Sequence, residues 1–273
     1  MYVPQDGWEL HPLNGHTGDA FMGVKADKKI FLKRNSSPFI VSLSALGITP
    51  RLMWTQKTYS GDTLVAQEWK NGRLLSKDNM NDLEVIQLIA YIHQSDHLTD
   101  LLTRMQGDVY QPLDFIKEFY QDLPQNLASN QTIQELIQYL EDSLHDGFYK
   151  IKSCVCHGDL HHQNFLKDET KHLYLVDWEN VRIADPISDI TYLLIQYYPP
   201  SQWMDWFKQY HSTFDYSFYD RVVWYSIINC LKMVKHHYIE NRYYKVNEYI
   251  LLAKNIYRQS QQSNNQPYER NEL

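Results

Sequence analysis

The sequence predicts an α+β protein of two lobes, a small β-rich N-terminal lobe followed by a larger α-rich one. Three observations carry that reading. The first third alternates short apolar runs with Gly and Asn, the punctuation of hairpins. Beyond about residue 79 the apolar positions recur at helical spacing. The chain, 273 residues with 43% hydrophobic side chains, has enough apolar surface for one large core or two.

The elements follow in order. "WELHPL", "AFMGVKA", "KIFLKRN" and "TLVAQEW" read as strands, closed by the turn "KNG" at Gly72. In "NMNDLEVIQLIAYIH", Leu83, Ile86, Ile89, Ala90 and His93 share one helical face, with Asn79 or Asn81 as its cap. "TIQELIQYLEDSL" repeats the pattern with Ile133, Leu136, Ile137, Leu140 and Leu144, after the polar loop "DLPQNLASNQ". "SCVC" and "LYLV" are short buried strands. Pro186 opens the next helix with Asp185 as its cap. From Ile187 to about Arg258 the chain is helical and rich in aromatics. The expected organisation is an N-terminal lobe over 1–78, a C-terminal lobe over 79–258, and a polar, disordered tail over 259–273. A ligand cleft is expected between such lobes. No internal repeat is visible.

Composition excludes several classes. A net charge of −7 and a pI near 5.9 oppose a nucleic-acid-coating role. No apolar run reaches the roughly 20 residues of a bilayer span, and "MYVPQDGWEL" has neither the basic nor the apolar region of a signal peptide. Cys154, Cys156 and Cys230 are too few for a disulfide framework and suit reduced thiols in a cytoplasm. Cys154 and Cys156 beside His157 hint at zinc, but no second ligand pair follows and a buried strand explains the alternation better.

The densest polar stretch is "VCHGDLHHQNFL", Val155 to Leu166. A metal site, a catalytic loop and a plain polar turn compete for it. His161 and His162 are adjacent and point apart in most conformations, which weakens zinc. Asp159 and Asn164 are separated by four residues, and Asp177 follows thirteen after Asn164, at the end of "LYLV". Converging, these three suit phosphoryl transfer. One carboxylate orients an acceptor hydroxyl and takes its proton, while an amide oxygen and a second carboxylate offer the hard ligands Mg²⁺ prefers. Asp185 and Asp189 read as residues that cap and brace a helix. The protein-kinase loop H-R-D-L-x-x-x-N is matched by His157-Gly158-Asp159-Leu160-His161-His162-Gln163-Asn164, with Gly in place of Arg.

Together, "HGDLHHQNFL" and "LVDWENVRIADPISDI" resemble the aminoglycoside phosphotransferase and choline kinase family, which has the bilobed protein-kinase-like fold. The resemblance implies Asp159 as catalytic base, Asn164 and Asp177 as Mg²⁺ ligands, and His157 as a structural residue of the loop, beside the capping and bracing expected of Asp185 and Asp189. It implies ATP and Mg²⁺ as cofactors. There is no G-x-x-x-x-G-K-[ST] loop. The loop "NGHTGDAFMG", with Gly15 and Gly18, fits a kinase-type phosphate loop, and Lys33 on the third strand would reach the α- and β-phosphates. "AQEW" falls at the hinge, where the backbone of Gln67, Glu68 and Trp69 would meet adenine. Kinase-like enzymes usually pair that lysine with a helix glutamate, yet no acidic residue lies between Lys33 and Trp54.

The acceptor is expected in the α-rich lobe, near His162, Trp178, Trp224 and Lys232. Acids are sparse around "WYSIINCLKMVKHHYIENRYY", which disfavours a polycationic antibiotic and suits a neutral polyol, sugar or nucleoside, or an anionic metabolite. "FLKRNSSPFI", "ITPRLMWTQ", "AQEWKNGRLL" and "YLVDWENVRIADPISDI" are further similar to the CcrZ-type cell-cycle regulators of low-GC Gram-positive bacteria. That likeness implies a cytoplasmic protein at the division site, tied to division and replication initiation. It also implies association with FtsZ, influence on DnaA, and ATP-dependent activity on ribose or 2-deoxyribose. The rival expectation is a nucleotide-sensing scaffold that acts by binding.

Overall fold

The structure, a computed structural model, describes residues 7–13, 19–58, 61–212 and 214–265. In chain order the elements are β1 (Glu9–Pro12), β2 (Ala20–Lys25), β3 (Lys28–Arg34), α1 (Ile40–Ala45), β4 (Leu52–Lys57), β5 (Thr63–Glu68), β6 (Gly72–Leu74), α2 (Leu83–His93), α3 (Asp96–Arg104), α4 (Pro112–Tyr120), α5 (Gln125–Ala128), α6 (Gln131–Asp142), β7 (Cys154–Cys156), β8 (Phe165–Asp168), β9 (Leu173–Leu175), β10 (Arg182–Ala184), α7 (Pro186–Tyr197), α8 (Trp203–Gln209), α9 (Phe218–Ile239) and α10 (Tyr243–Asn265). They form two compact units. The first gathers Met1–Leu88, Asp100–Met105 and His161–Asn180, and the second gathers Ile89–Thr99, Gln106–Leu160 and Val181–Leu273.

The first unit is built on a five-stranded sheet of order β1-β2-β3-β5-β4, antiparallel throughout. Period-2 alternation in "KKIFLKR" turns Ile30 and Leu32 into the core, where Ala66 of β5 packs against them. A second, three-stranded sheet of order β6-β8-β9 completes the unit. Gly72 is required there, because a Cβ would collide with the Lys167 carbonyl. This pairing explains why the division is not a single cut at residue 78. β8, nearly a hundred residues downstream, pairs with β6 on one edge and with β9 on the other, and Lys167 of β8 is ion-paired to Glu84 of α2. Nothing local in the sequence announces that long-range pairing.

The second unit packs α4, α6, α7 and α10 around α9. α9 is buried along most of its length, from Phe218 to His237, so its sequence is apolar on several faces. β7 pairs with β10 and buries Cys154, Val155 and Cys156. All three cysteines are free, buried thiols.

Several sequence expectations shift. α1 and β4 were not read from the sequence. On α2 the buried stripe is Val85, Ile86, Ile89, Ile92 and His93, while Leu83 is 52% exposed. Leu144 lies beyond the end of α6 at Asp142. The polar tail expected from residue 259 begins later, since α10 stays helical to Asn265. A helix satisfies its own backbone through i→i−4 hydrogen bonds and continues without burying a side chain; the remaining tail, 266–273, lies outside the described residues. Among the described residues no helix is long and apolar enough to cross a membrane.

Candidate active site

In the first unit the residues expected at the nucleotide come from β3 and from the loop after β9. The third strand places Lys33 opposite Ala20 and Val65. Its ammonium lies 2.6 Å from Asp177 Oδ1 and 2.7 Å from Glu179 Oε1. Burial opposes the charge on Lys33, but the two carboxylates outweigh it and hold the pKa above 10.5. The partner missing from the stretch after Lys33 is thus supplied from the far end of the motif. Glu179, two residues beyond Asp177, was not singled out from the sequence.

Backbone pairing sets Asn164 opposite Val176, the residue before Asp177. The Val176 N–H donates to the Asn164 carbonyl at 2.8 Å, continuing the β8–β9 ladder by one rung past Phe165–Leu175. Asn164 is buried. Asp177 has φ +67°, the left-handed region that Asp tolerates better than most residues and that recurs at functional positions. His161 accepts from the Gln163 N–H and caps the short turn His162–Asn164. His162 is half-buried, and burial with His161 and Lys77 nearby lowers its pKa.

The other residues expected on this unit make the following contacts. Gln67 is buried and donates to Thr49 Oγ1 and the Pro50 carbonyl. The Glu68 N–H donates to the Arg51 carbonyl, and its carboxylate pairs with Arg51 and Lys70. Trp69 is half-buried just beyond β5. Gly15 and Gly18 lie outside the described residues. Trp178, expected at the substrate, is a core residue instead. It is 4% exposed, its indole N–H donates to the Leu175 carbonyl, and its ring meets Phe39 edge-on.

In the second unit the loop after β7 is held by α7. Gly158 has φ +82°, where a side chain would be strained. The turn aims the N–H groups of His157 and Gly158 at the Asp189 carboxylate, at 2.6 and 2.8 Å. His93 adds a third contact to Asp189 at 3.2 Å. Burial alone would raise the Asp189 pKa; His93, His157 and the amide donors more than reverse this and lower it. The Asp159 N–H donates to His157 Nδ1 at 3.3 Å, which makes buried His157 an internal brace of the loop. Asp159 Oδ1 accepts a hydrogen bond from Tyr192 at 2.9 Å. Asp185 caps α7 through the Ile187 N–H and pairs with Arg221 at 2.7 Å, and burial keeps its pKa raised in spite of that arginine. Pro186 at the start and Asp185 as cap match the sequence expectation.

Lys232 of α9 is 3.3 Å from Glu118, which Arg182 also grips with both guanidinium arms, at 3.0 and 3.3 Å. Burial lowers the Lys232 pKa despite Glu118. Gly158, Arg182, Tyr192, Asn229 and Lys232 line one cavity. Trp224, the other aromatic expected at the substrate, is corrected to the core. It is 1% exposed, with its N–H on the Leu140 carbonyl and its ring against Phe148 and Tyr225. Tyr192, Glu118 and Arg182 were missed because each acts through a tertiary contact that has no local spacing.

A β-rich sheet with a lysine on its third strand, followed by helices and the His-Gly-Asp loop, defines a kinase-like fold. Residues 39–222 match the phosphotransferase enzyme family, APH, over more than half of the chain. The chain belongs to that family. Solved structures similar in fold include choline kinase LicA from Streptococcus pneumoniae, at 16% identity and TM-score 0.63 over 91% of this chain and 92% of that one. LicA in complex with AMP matches at 16% identity and TM-score 0.67, over 93% of each chain. The GDP and kanamycin complex of APH(2")-IIia matches at 14% identity and TM-score 0.64, over 92% of this chain and 93% of that one.

Proposed function

We propose that the protein is an Mg²⁺- and ATP-dependent small-molecule kinase whose acceptor is a hydroxyl group of a pentose or nucleoside. The observation that supports this reading is the backbone bond from Val176 to Asn164, which sets Asn164 opposite the residue before Asp177, whose carboxylate pairs with Lys33. The donor set is oxygen only, which fits Mg²⁺ and not a softer metal. Asn164 and Asp177 would hold it, and when bound it supplies charge neutralisation to the nucleotide phosphates. Lys33 exchanges its contact with Asp177 for phosphate oxygens. Asp159 orients the acceptor hydroxyl and takes its proton as the new O–P bond forms and the bond from the γ-phosphorus to the bridging oxygen breaks, releasing ADP. Positioning supplies most of the effect, because phosphoryl transfer leaves little covalent work to the protein.

The acceptor class rests on the sequence likeness. In the second unit Arg182, Lys232 and Asp189 line the cavity beside Gly158, and Glu118 pairs with both cations, so positive and negative groups balance there. The sequence likeness to CcrZ-type regulators supports ribose, 2-deoxyribose or a nucleoside as acceptor. It also supports a place in control of division and replication initiation, through FtsZ and DnaA. One observation favours a second reading, a nucleotide-sensing scaffold with weak turnover: Lys33 is paired with the very carboxylate expected to hold the metal.

The test is ADP release by purified protein with ATP and Mg²⁺ across pentoses, nucleosides, choline and aminoglycosides. Turnover should be stimulated by a neutral acceptor, stop on chelation of Mg²⁺, and fall roughly 10²–10⁴-fold in Asp159→Asn with ATP binding retained. ATP binding with no acceptor-stimulated turnover would support the scaffold. Stimulation by choline alone would overturn the acceptor class.

A further inference from the structure

We propose that Tyr192 is a positioning residue for Asp159, fixing the orientation in which that carboxylate meets the acceptor hydroxyl. The inference rests on Asp159 being the base and adds to it a residue that no motif contains.

The geometry is built from one helix. α7 places Asp189 and Tyr192 three residues apart, hence on one face. Asp189 takes the two N–H groups that precede Asp159, and Tyr192 takes the Asp159 carboxylate itself, at 2.9 Å. The loop is therefore gripped by backbone and side chain from the same surface. The second grip matters because χ2 of an aspartate is a soft, roughly two-fold torsion. A fixed backbone does not by itself fix which way the carboxylate faces. A donor on Oδ1 does, and orientation is the larger part of what a base contributes to phosphoryl transfer.

Tyr192 suits a permanent donor. Burial, with the Asp159 charge beside it, raises its pKa well above 10, so the hydroxyl keeps its proton wherever an enzyme works. Other groups facing this pair include Lys232 from α9, whose ammonium lies 6.0 Å from the centre of the Tyr192 ring and which senses the Asp159 charge, Asp189 and Tyr197 from α7, Tyr249 from α10, and His157 within the loop. Tyr192, Lys232 and Gly158 line the same small cavity beside the loop.

The experiment compares wild type, Tyr192→Phe and Asp159→Asn as full-length proteins, with ATP, Mg²⁺ and ribose as the acceptor probe. Phenylalanine keeps the ring and its packing and removes only the donor. The expected result is a roughly ten- to hundredfold fall in kcat, the scale of one hydrogen bond to a charged group. KM for ribose and the affinity for ATP should stay near wild type, and the acid limb of kcat/KM should move to higher pH. A second measurement needs no turnover: ¹³C-carboxyl NMR titration of Asp159, assigned by its loss in Asp159→Asn, should move upward in Tyr192→Phe. A merely structural tyrosine would lower the melting temperature and leave kcat and the titration unmoved, which overturns the inference. If Asp159→Asn itself keeps wild-type turnover, the phosphotransfer reading has failed and this one goes with it. If Asp159→Asn is inactive while Tyr192→Phe keeps both wild-type kcat and the wild-type titration, only this inference fails.

Discussion

Lys33 and Asp189 each sit among several partners, one in each unit, and the two clusters are built oppositely. Around Lys33 the carboxylates of Asp177 and Glu179 are 46% and 42% exposed, and the contacts are side chain to side chain. Around Asp189 the side chains are nearly sealed, 3% exposed for Asp189 and 2% for His93, and two of the three contacts come from the backbone. Water can replace any partner in the first cluster and none in the second. The difference separates ion pairs that solvent can exchange from a brace that is closed to water.

The brace gives the largest expected effect. Asp189→Ala would leave two buried N–H groups and a buried imidazole without their acceptor. Loss of one partner from a buried charged network costs about 3–5 kcal/mol, so urea unfolding should show a large fall in the midpoint with little change in slope. A loss under about 1 kcal/mol would mean that the loop holds itself, and the contrast between the clusters would collapse.

Next in size is the pH dependence of the same brace. Burial opposes charge on His93, but Cys154 and Asp189 raise its pKa above 6.5. A raised folded-state pKa means that the protonated ring stabilises the fold fully below the unfolded value near 6.5. That contribution disappears as pH climbs through the folded value. Asp189 runs the other way: its lowered pKa contributes stability above the unfolded value of 3.8, lost as pH falls through the folded one. Stability should therefore peak between the two and decline on the alkaline side. His93→Gln should remove that alkaline decline, checked by melting temperature from pH 5 to 9. An unchanged alkaline slope in the variant would place the titrating group elsewhere.

The same contrast explains what the sequence could disclose. Asp159, Asn164 and Asp177 stand out in the sequence because oxygen-bearing side chains at that spacing on one loop and one strand end make a local pattern. Asp185 and Pro186 were legible because helix capping is local too. Most of the strands of the first sheet were visible from alternation. Tyr192 and Glu118 were not, because their roles lie in which helix packs beside which loop. Trp178 and Trp224 misled for a related reason: an aromatic near a motif has the same letters whether its N–H faces a ligand or a backbone carbonyl. The β6–β8 pairing is equally non-local, since it spans more than ninety residues of chain.

The smallest expected effect is the sharpest test of the first cluster. Glu179→Gln removes one of the two carboxylates on Lys33 and leaves Asp177 in place. An ion pair this exposed is worth about 1 kcal/mol or less, so the affinity for ATP should change by no more than about fivefold. The direction should be toward tighter binding, because Glu179 competes with phosphate for the ammonium. Isothermal titration of ATP with and without Mg²⁺ measures it. A weakening beyond about tenfold, together with a fall in kcat, would reverse the reading. Glu179 would then be the clamp that aims Lys33, taking the part that kinase-like proteins usually give to a helix glutamate and that α1, which has no acidic residue in its first turn, does not supply.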